Sequence, residues 1–222
     1  MADIYHVLNR GVDKRKIFLD QQDHLRFIHD LYEFNDNRVI GSTSDRFKAS
    51  NKDNDLVGRS TKQPRKPMVN IYAFCLMPNH FHLLLGPIIE NGISKFLRKL
   101  DMGYAKYFNI KHKRKGALFE SRYKSILISK SNHFLNLPYY IHLNPLDMEF
   151  SEWRNRKIKD HDKAIKYLNN YRWSSHLDYC GKKNFPSVTN RELLLDVFGG
   201  QEKYKKDINK WLEEMKIDNI GE

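Results

Sequence analysis

The amino-acid sequence predicts an α+β fold: an antiparallel sheet with helices packed on one face, followed by a mostly helical C-terminal appendage. Three observations carry that expectation. Apolar residues alternate along residues 69–85, broken only by the turn residues Pro78 and Asn79. Apolar residues recur at helical spacing from Ile93 to Phe108. The element order is strand, helix, strand, strand, helix, strand, helix, which suits a layered sheet-and-helix arrangement.

In chain order, Ile4 to Leu8 is expected to form the first strand, which ends at Asn9-Arg10-Gly11. Asp20 is positioned to cap a helix in which Leu25, Ile28, His29 and Tyr32 share a face. Residues 35–67 are polar, rich in Ser, Asn, Asp and Lys, and end in TKQPRKP. This composition predicts a long, basic, flexible insertion. Val69, Ile71, Ala73 and Cys75 then alternate with Asn70, Tyr72, Phe74 and Leu76 in a strand. Past the Pro-Asn turn a second strand starts at His80. In it Phe81, Leu83 and Leu85 point one way, and His80, His82 and Leu84 the other. The two strands form a hairpin.

Ile93, Phe96, Leu97, Leu100, Tyr104, Tyr107 and Phe108 mark the clearest helix, which runs into the basic turn KHKRKG at 111–116. Arg122 to Ile128 is expected to be a strand. Ser131 is expected to cap a helix continuing towards Asn144-Pro145. Thr189 to Glu192 has capping-box spacing. Tyr204, Ile208, Trp211 and Met215 predict a last amphipathic helix. The division expected is a domain over 1–148, carrying the insertion, and a helical extension over 149–222.

Composition narrows the function classes. The chain carries 39 Lys and Arg against 27 Asp and Glu, a formal charge of +12 that suits a polyanion partner, most plausibly nucleic acid. No apolar run approaches the roughly 20 residues of a membrane helix. The amino end, MADIYHVLNRG, lacks a signal-peptide pattern. Only Cys75 and Cys180 occur, far apart, which points to a reducing cytoplasm and away from a thiolate zinc site.

Two segments carry candidate chemistry. In MPNHFHLLL, His80 and His82 lie two apart on a strand, about 6.5 Å along the chain and facing the same way. Two such imidazoles can converge on one cation. Alone, a pair of this kind is more often structural. In LPYYIHLNP, residues 137–145, Tyr140 and Asn144 are four apart and share a helical face. Pro145 disfavours helix at Asn144, so Asn144 lies near a helix end. By themselves these residues also read as core and cap.

Together the motifs are more specific. MPNHFHLLL, then a helix with YAKYFN, then GALFESRYKS, YYIHLNP and YRWSS, preceded by YHVLNRG, resemble the single-tyrosine HUH transposases, in particular the REP-associated tyrosine transposase branch. The resemblance runs from about residue 4 to residue 180. It implies a ferredoxin-like sheet of the HUH endonuclease type. It also implies Tyr140 as the nucleophile, with His80, His82 and Asn144 around a divalent metal ion, Mg or Mn. The activity implied is cutting and rejoining of single-stranded DNA through a 5′-phosphotyrosine link. Pro138 falls where the tyrosine helix is normally continuous. It either disturbs the bond to the Phe134 carbonyl or opens a fresh helical segment.

The partner expected is single-stranded, hairpin-forming DNA, with no membrane. Lys111, Lys113, Arg114, Lys115 and Arg122 are expected to meet phosphates, and Tyr123 and Phe119 to stack on bases. Monomer and homodimer both fit. The rival readings are a domesticated hairpin-binding protein that does not cut, a replication-initiator or relaxase-type nickase, and a small-molecule metalloenzyme. The last fits the charge poorly.

Overall fold

The computed structural model describes residues 3–38, 64–155 and 158–214. Most of the expected insertion, residues 39–63, and Met215 in the last expected helix lie outside them. Four strands form one sheet: β1 (Tyr5–Arg10), β2 (Val69–Met77), β3 (His80–Pro87) and β4 (Lys124–Leu127), in the order β2-β3-β1-β4. Every pairing is antiparallel. With α1 (Gln21–Glu33) between β1 and β2, and α2 (Gly92–Lys111) between β3 and β4, this is the ferredoxin-like β-α-β-β-α-β arrangement that the sequence predicts.

Each local signal has its structural counterpart. Asp20 caps α1, its side chain accepting the Asp23 N–H at 3.0 Å. Pro78 and Asn79 turn β2 into β3, and Val69 pairs with Pro87 at the far end of the hairpin. The alternation in β2 breaks at Tyr72, where a register shift lies between Ile71 and Ala73. A bulge of this kind moves the following side chains to the opposite face. Ile71 and Phe74 therefore share one core, while Ala73 and Cys75 join the other. Alternation alone did not disclose the switch.

The sheet separates two apolar cores. Val7, Phe81, Leu83 and Leu85 meet α1 and α2 through Phe27, Leu31, Phe96, Leu100 and Tyr104. On the opposite face Ala73, Cys75 and Leu84 meet α3 (Ser131–Leu143) and the C-terminal helices. These helices are α4 (His161–Asn170), α5 (His176–Tyr179), α6 (Glu192–Phe198) and α7 (Gln201–Glu214). The face that the pattern left open for a site is thus covered by the tyrosine helix and the extension behind it. Among the described residues, no helix is long and apolar enough to cross a membrane.

Three expectations resolve in detail. Pro138 neither stops nor splits its helix: α3 runs through it from Ser131 to Leu143. Lys130, in extended conformation, stands at the N-cap where Ser131 was expected. The capping box at Thr189 does not form. Glu192 is the first residue of α6 and not its third, so it cannot fold back. The Thr189 hydroxyl instead accepts from Arg191 Nη1 at 3.0 Å.

The YRWSS segment, residues 171–175, lies along the outer edge of β2. Leu76 N–H donates to the Trp173 carbonyl at 2.9 Å, and Ser175 N–H to the Phe74 carbonyl at 3.0 Å. Those bonds use backbone groups that an edge strand would otherwise expose. The motif thereby ties the C-terminal extension to the sheet.

Candidate active site

β3 places His80 and His82 on the face that meets α3. Their rings lie 4.9 Å apart between centroids, at 83° to one another. His82 is buried, and His80, at the start of the strand, is partly exposed. His80 Nδ1 lies 2.6 Å from Asn79 Oδ1. Burial pushes the His80 pKa down to about 4, with the Arg10 charge adding to it. Burial also holds His82 well below the ordinary histidine value, aided by His6 and His80. At neutral pH both rings are uncharged and keep a lone pair for a ligand.

A third histidine completes this wall. His6 of β1 is buried beside His82, ring stacked on ring at 5.2 Å, with Nε2 2.9 Å from His82 Nδ1. Burial lowers its pKa to about 4, and its Nδ1 has no hydrogen-bond partner among the described residues. Sequence reading passed over His6. The signal was there: His6 alternates with Tyr5 and Val7 in the YHVLNRG strand, so it faces the same side as His82.

The two adjacent tyrosines of α3 point to different places. Tyr140 faces the histidines, its ring edge-on to His82 at 6.0 Å and to His6 at 6.4 Å. Tyr139 faces the C-terminal helices, stacked on Tyr204 and Trp211, with its hydroxyl donating to Asp207 at 2.9 Å. Burial and that carboxylate push the Tyr139 pKa up. The helix turn that separates the two side chains is what the spacing to Asn144 implied. Asn144 sits at the end of α3, fully buried, with Nδ2 donating to the Tyr140 carbonyl at 2.8 Å. Tyr140 thus lies against His82, with His80 beside His82 and Asn144 bonded to the Tyr140 carbonyl.

Two further residues stand there that no motif announced. After α3 the chain runs through the short turns Asn144–Met148 and Ser151–Asn155. Arg154, in the second turn, places its guanidinium carbon 4.8 Å from the Tyr140 ring centroid. Its Nη2 donates to Asn144 Oδ1 at 3.1 Å and to Asp147 Oδ2 at 2.8 Å. Asp147 also accepts from the Trp153 indole at 2.5 Å.

The residues expected to meet DNA lie elsewhere and differ among themselves. Lys111 is engaged: its Nζ sits 2.7 Å from Asp20 and 2.8 Å from Asp23. Asp20, Asp23 and His112 have metal-ligand spacing, but the Lys111 ammonium already lies among the carboxylates. Arg114 packs against Phe108 and bonds Asn109, while Lys113 and Lys115 are exposed. Arg122 lies over Tyr123, whose hydroxyl meets Ser94 at 3.0 Å. Both line an open cleft of about 530 Å³ with Lys95, Arg98, Asp101 and Phe119.

Comparison with known proteins accords with the motif reading. Residues 41–144 match the family described as "Transposase IS200 like". No curated protein matches the chain. Among solved structures, one titled "Structure of the REP associates tyrosine transposase bound to a REP hairpin" is similar at 14% identity, with a TM-score of 0.47, over 86% of this chain and 87% of that one. Residues 41–144, the stretch that carries both histidines of β3, the tyrosine and the asparagine, are the part of this chain that is similar to IS200-like transposases.

Proposed function

We propose that the protein is a single-stranded DNA transposase that cuts and rejoins its substrate through a covalent 5′-phosphotyrosine on Tyr140. The observation that carries this reading is the approach of the Tyr140 ring to His82, 6.0 Å between centroids, from elements 58 residues apart by number (140 − 82). The family match and the +12 charge support a DNA substrate. A hairpin-forming strand is the partner that the motif resemblance implies.

The donor set fits a divalent cation such as Mg or Mn. His80 and His82 are neutral, each with Nδ1 already engaged, so Nε2 is the nitrogen left to ligate. Asn144 offers a neutral oxygen with a second lone pair beside the one that accepts from Arg154. Bound there, a divalent ion would neutralise and orient the scissile phosphate. The protein's own residues do the rest. Tyr140 presents its hydroxyl beside the histidines, and attack on phosphorus joins the phenol oxygen to the 5′ phosphate and releases the 3′ oxygen. That 3′-hydroxyl can later attack the same linkage, so rejoining needs no nucleotide. His6 fixes the orientation of His82. Asn144 holds the last turn of the helix carrying Tyr140.

The test is incubation with end-labelled single-stranded hairpin DNA and manganese or magnesium, followed by a denaturing gel. A protein–DNA adduct is expected, absent in Tyr140→Phe. A second reading, a hairpin-binding protein without cleavage, draws on the burial of Tyr140, which is 3% exposed. It predicts a native-gel shift with no adduct.

A further inference from the structure

We propose that Arg154 is a further catalytic residue, whose guanidinium stabilises the negative charge on the Tyr140 oxygen as the phosphotyrosine bond forms and breaks. The inference rests on the transposase reading of Tyr140. It is carried by three contacts of one side chain. Arg154 lies over the Tyr140 ring at 4.8 Å, bonds Asn144 Oδ1 at 3.1 Å, and is gripped through Nε and Nη2 by Asp147 at 3.1 and 2.8 Å.

Such an arrangement asks for an explanation. Arg154 belongs to a short turn between the YYIHLNP and YRWSS motifs and to neither of them, yet it reaches back over the nucleophile. A guanidinium that merely anchored this turn needs only Asp147. A guanidinium keeps its charge at any ordinary pH. The group is therefore a permanent cation set over the Tyr140 ring. Its side chain is still 31% exposed, so one edge remains open to an incoming phosphate. Arginine suits this task because its planar fork holds several acceptors at once.

In the cleavage step the Tyr140 O–P bond forms and the P–O3′ bond breaks. The phenol proton leaves to solvent, and the 3′ oxygen takes one up, so charge and protons balance. In the rejoining step the 3′-hydroxyl attacks phosphorus and gives its proton to solvent, and the phenol oxygen departs with the bonding electron pair and then takes up a proton. That departing charge forms on the ring that Arg154 lies over. A fixed cation or donor at a site of developing charge is worth about 100-fold in rate. Asp147 is the positioning residue: it acts only by holding Arg154.

The experiment compares wild type, Arg154→Ala, Arg154→Lys and Asp147→Ala in single-turnover formation and resealing of the hairpin-DNA adduct, with manganese binding measured separately by electron paramagnetic resonance. Arg154→Ala is expected to slow both steps by about 100-fold, while DNA affinity and manganese affinity hold. Arg154→Lys should recover part of the loss, and added guanidinium more of it than sodium at equal ionic strength. Asp147→Ala should slow the reaction too, but add nothing to Arg154→Ala. Circular dichroism checks that each variant is folded, and the lysine variant keeps the test open should the alanine variant unfold. An Arg154→Ala protein that cuts at the wild-type rate overturns the proposal. So does one that cuts faster and binds manganese more tightly, since Arg154 would then be an obstruction on Asn144. If wild type forms no adduct, the transposase reading fails instead.

Discussion

His6 and His82, from neighbouring strands, share a short contact, Nε2 to Nδ1 at 2.9 Å, with their rings stacked. With the Nδ1 proton of His82 donated to His6, the His82 Nε2 lone pair is turned outward and its ring orientation is fixed. Partners of this kind typically change metal affinity 10–100-fold. His6→Ala is therefore expected to weaken manganese binding by about 10-fold or more, read by calorimetry on the folded protein. Unchanged affinity would show that the contact is only packing.

Half-buried Asp101 and buried His176 set opposite pH dependences. Asp101 accepts from Asn9 at 3.0 Å, yet burial pushes its pKa up to about 7, and its other oxygen has no partner among the described residues. A carboxyl whose folded pKa is raised holds its proton better in the native state. Stability is then full below the unfolded value and is lost as pH rises towards 7. Asp101→Asn removes that loss. It is expected to stabilise the protein by about 1–2 kcal/mol at pH 8 and to give little at pH 4, measured by urea unfolding at both.

His176 behaves in the reverse sense. Burial lowers its pKa to about 4, and its Nδ1 meets the Tyr204 hydroxyl at 2.8 Å. The unfolded chain takes up this proton first. Stability should therefore fall as pH drops from the ordinary histidine value towards 4, by about 1.4 kcal/mol per unit. His176→Gln should flatten that part of the acid limb.

Gly11 is a packing requirement. A Cβ there would stand 2.3 Å from the Arg15 carbonyl oxygen and 2.8 Å from Ile17 Cγ2. Its N–H donates to the Asn79 carbonyl at 2.8 Å, next to the first site histidine. Gly11→Ala is expected to cost about 1–3 kcal/mol, seen as a lowered Tm. A neutral result would mean that the 12–17 turn relaxes freely.

Much of the fold was legible in the sequence because its signals are local. The Pro-Asn turn, the Asp20 cap and the period of Ile93 to Phe108 each act within a few residues. Shared placement was legible where one strand or one helix sets the spacing, as for His80 with His82 and Tyr140 with Asn144. Long-range packing was not. The bulge at Tyr72 depends on what each face must meet, and the covering of the second face depends on helices that follow much later. His6 and Arg154 reach the tyrosine only through tertiary structure. Neither stands at a fixed interval from the motifs they join. The failed capping box at Thr189 has the same origin: the spacing was present, but the chain enters α6 two residues later than the box requires.

The most direct test of the account is to map the linkage. The protein is reacted with single-stranded hairpin DNA and manganese, digested with trypsin and nuclease, and the nucleotide-bearing peptide is sequenced by mass spectrometry. The account predicts a 5′-phosphate ester on Tyr140, lost in Tyr140→Phe and kept in Tyr139→Phe. A nucleotide on Tyr139, on any other side chain, or on none would contradict it.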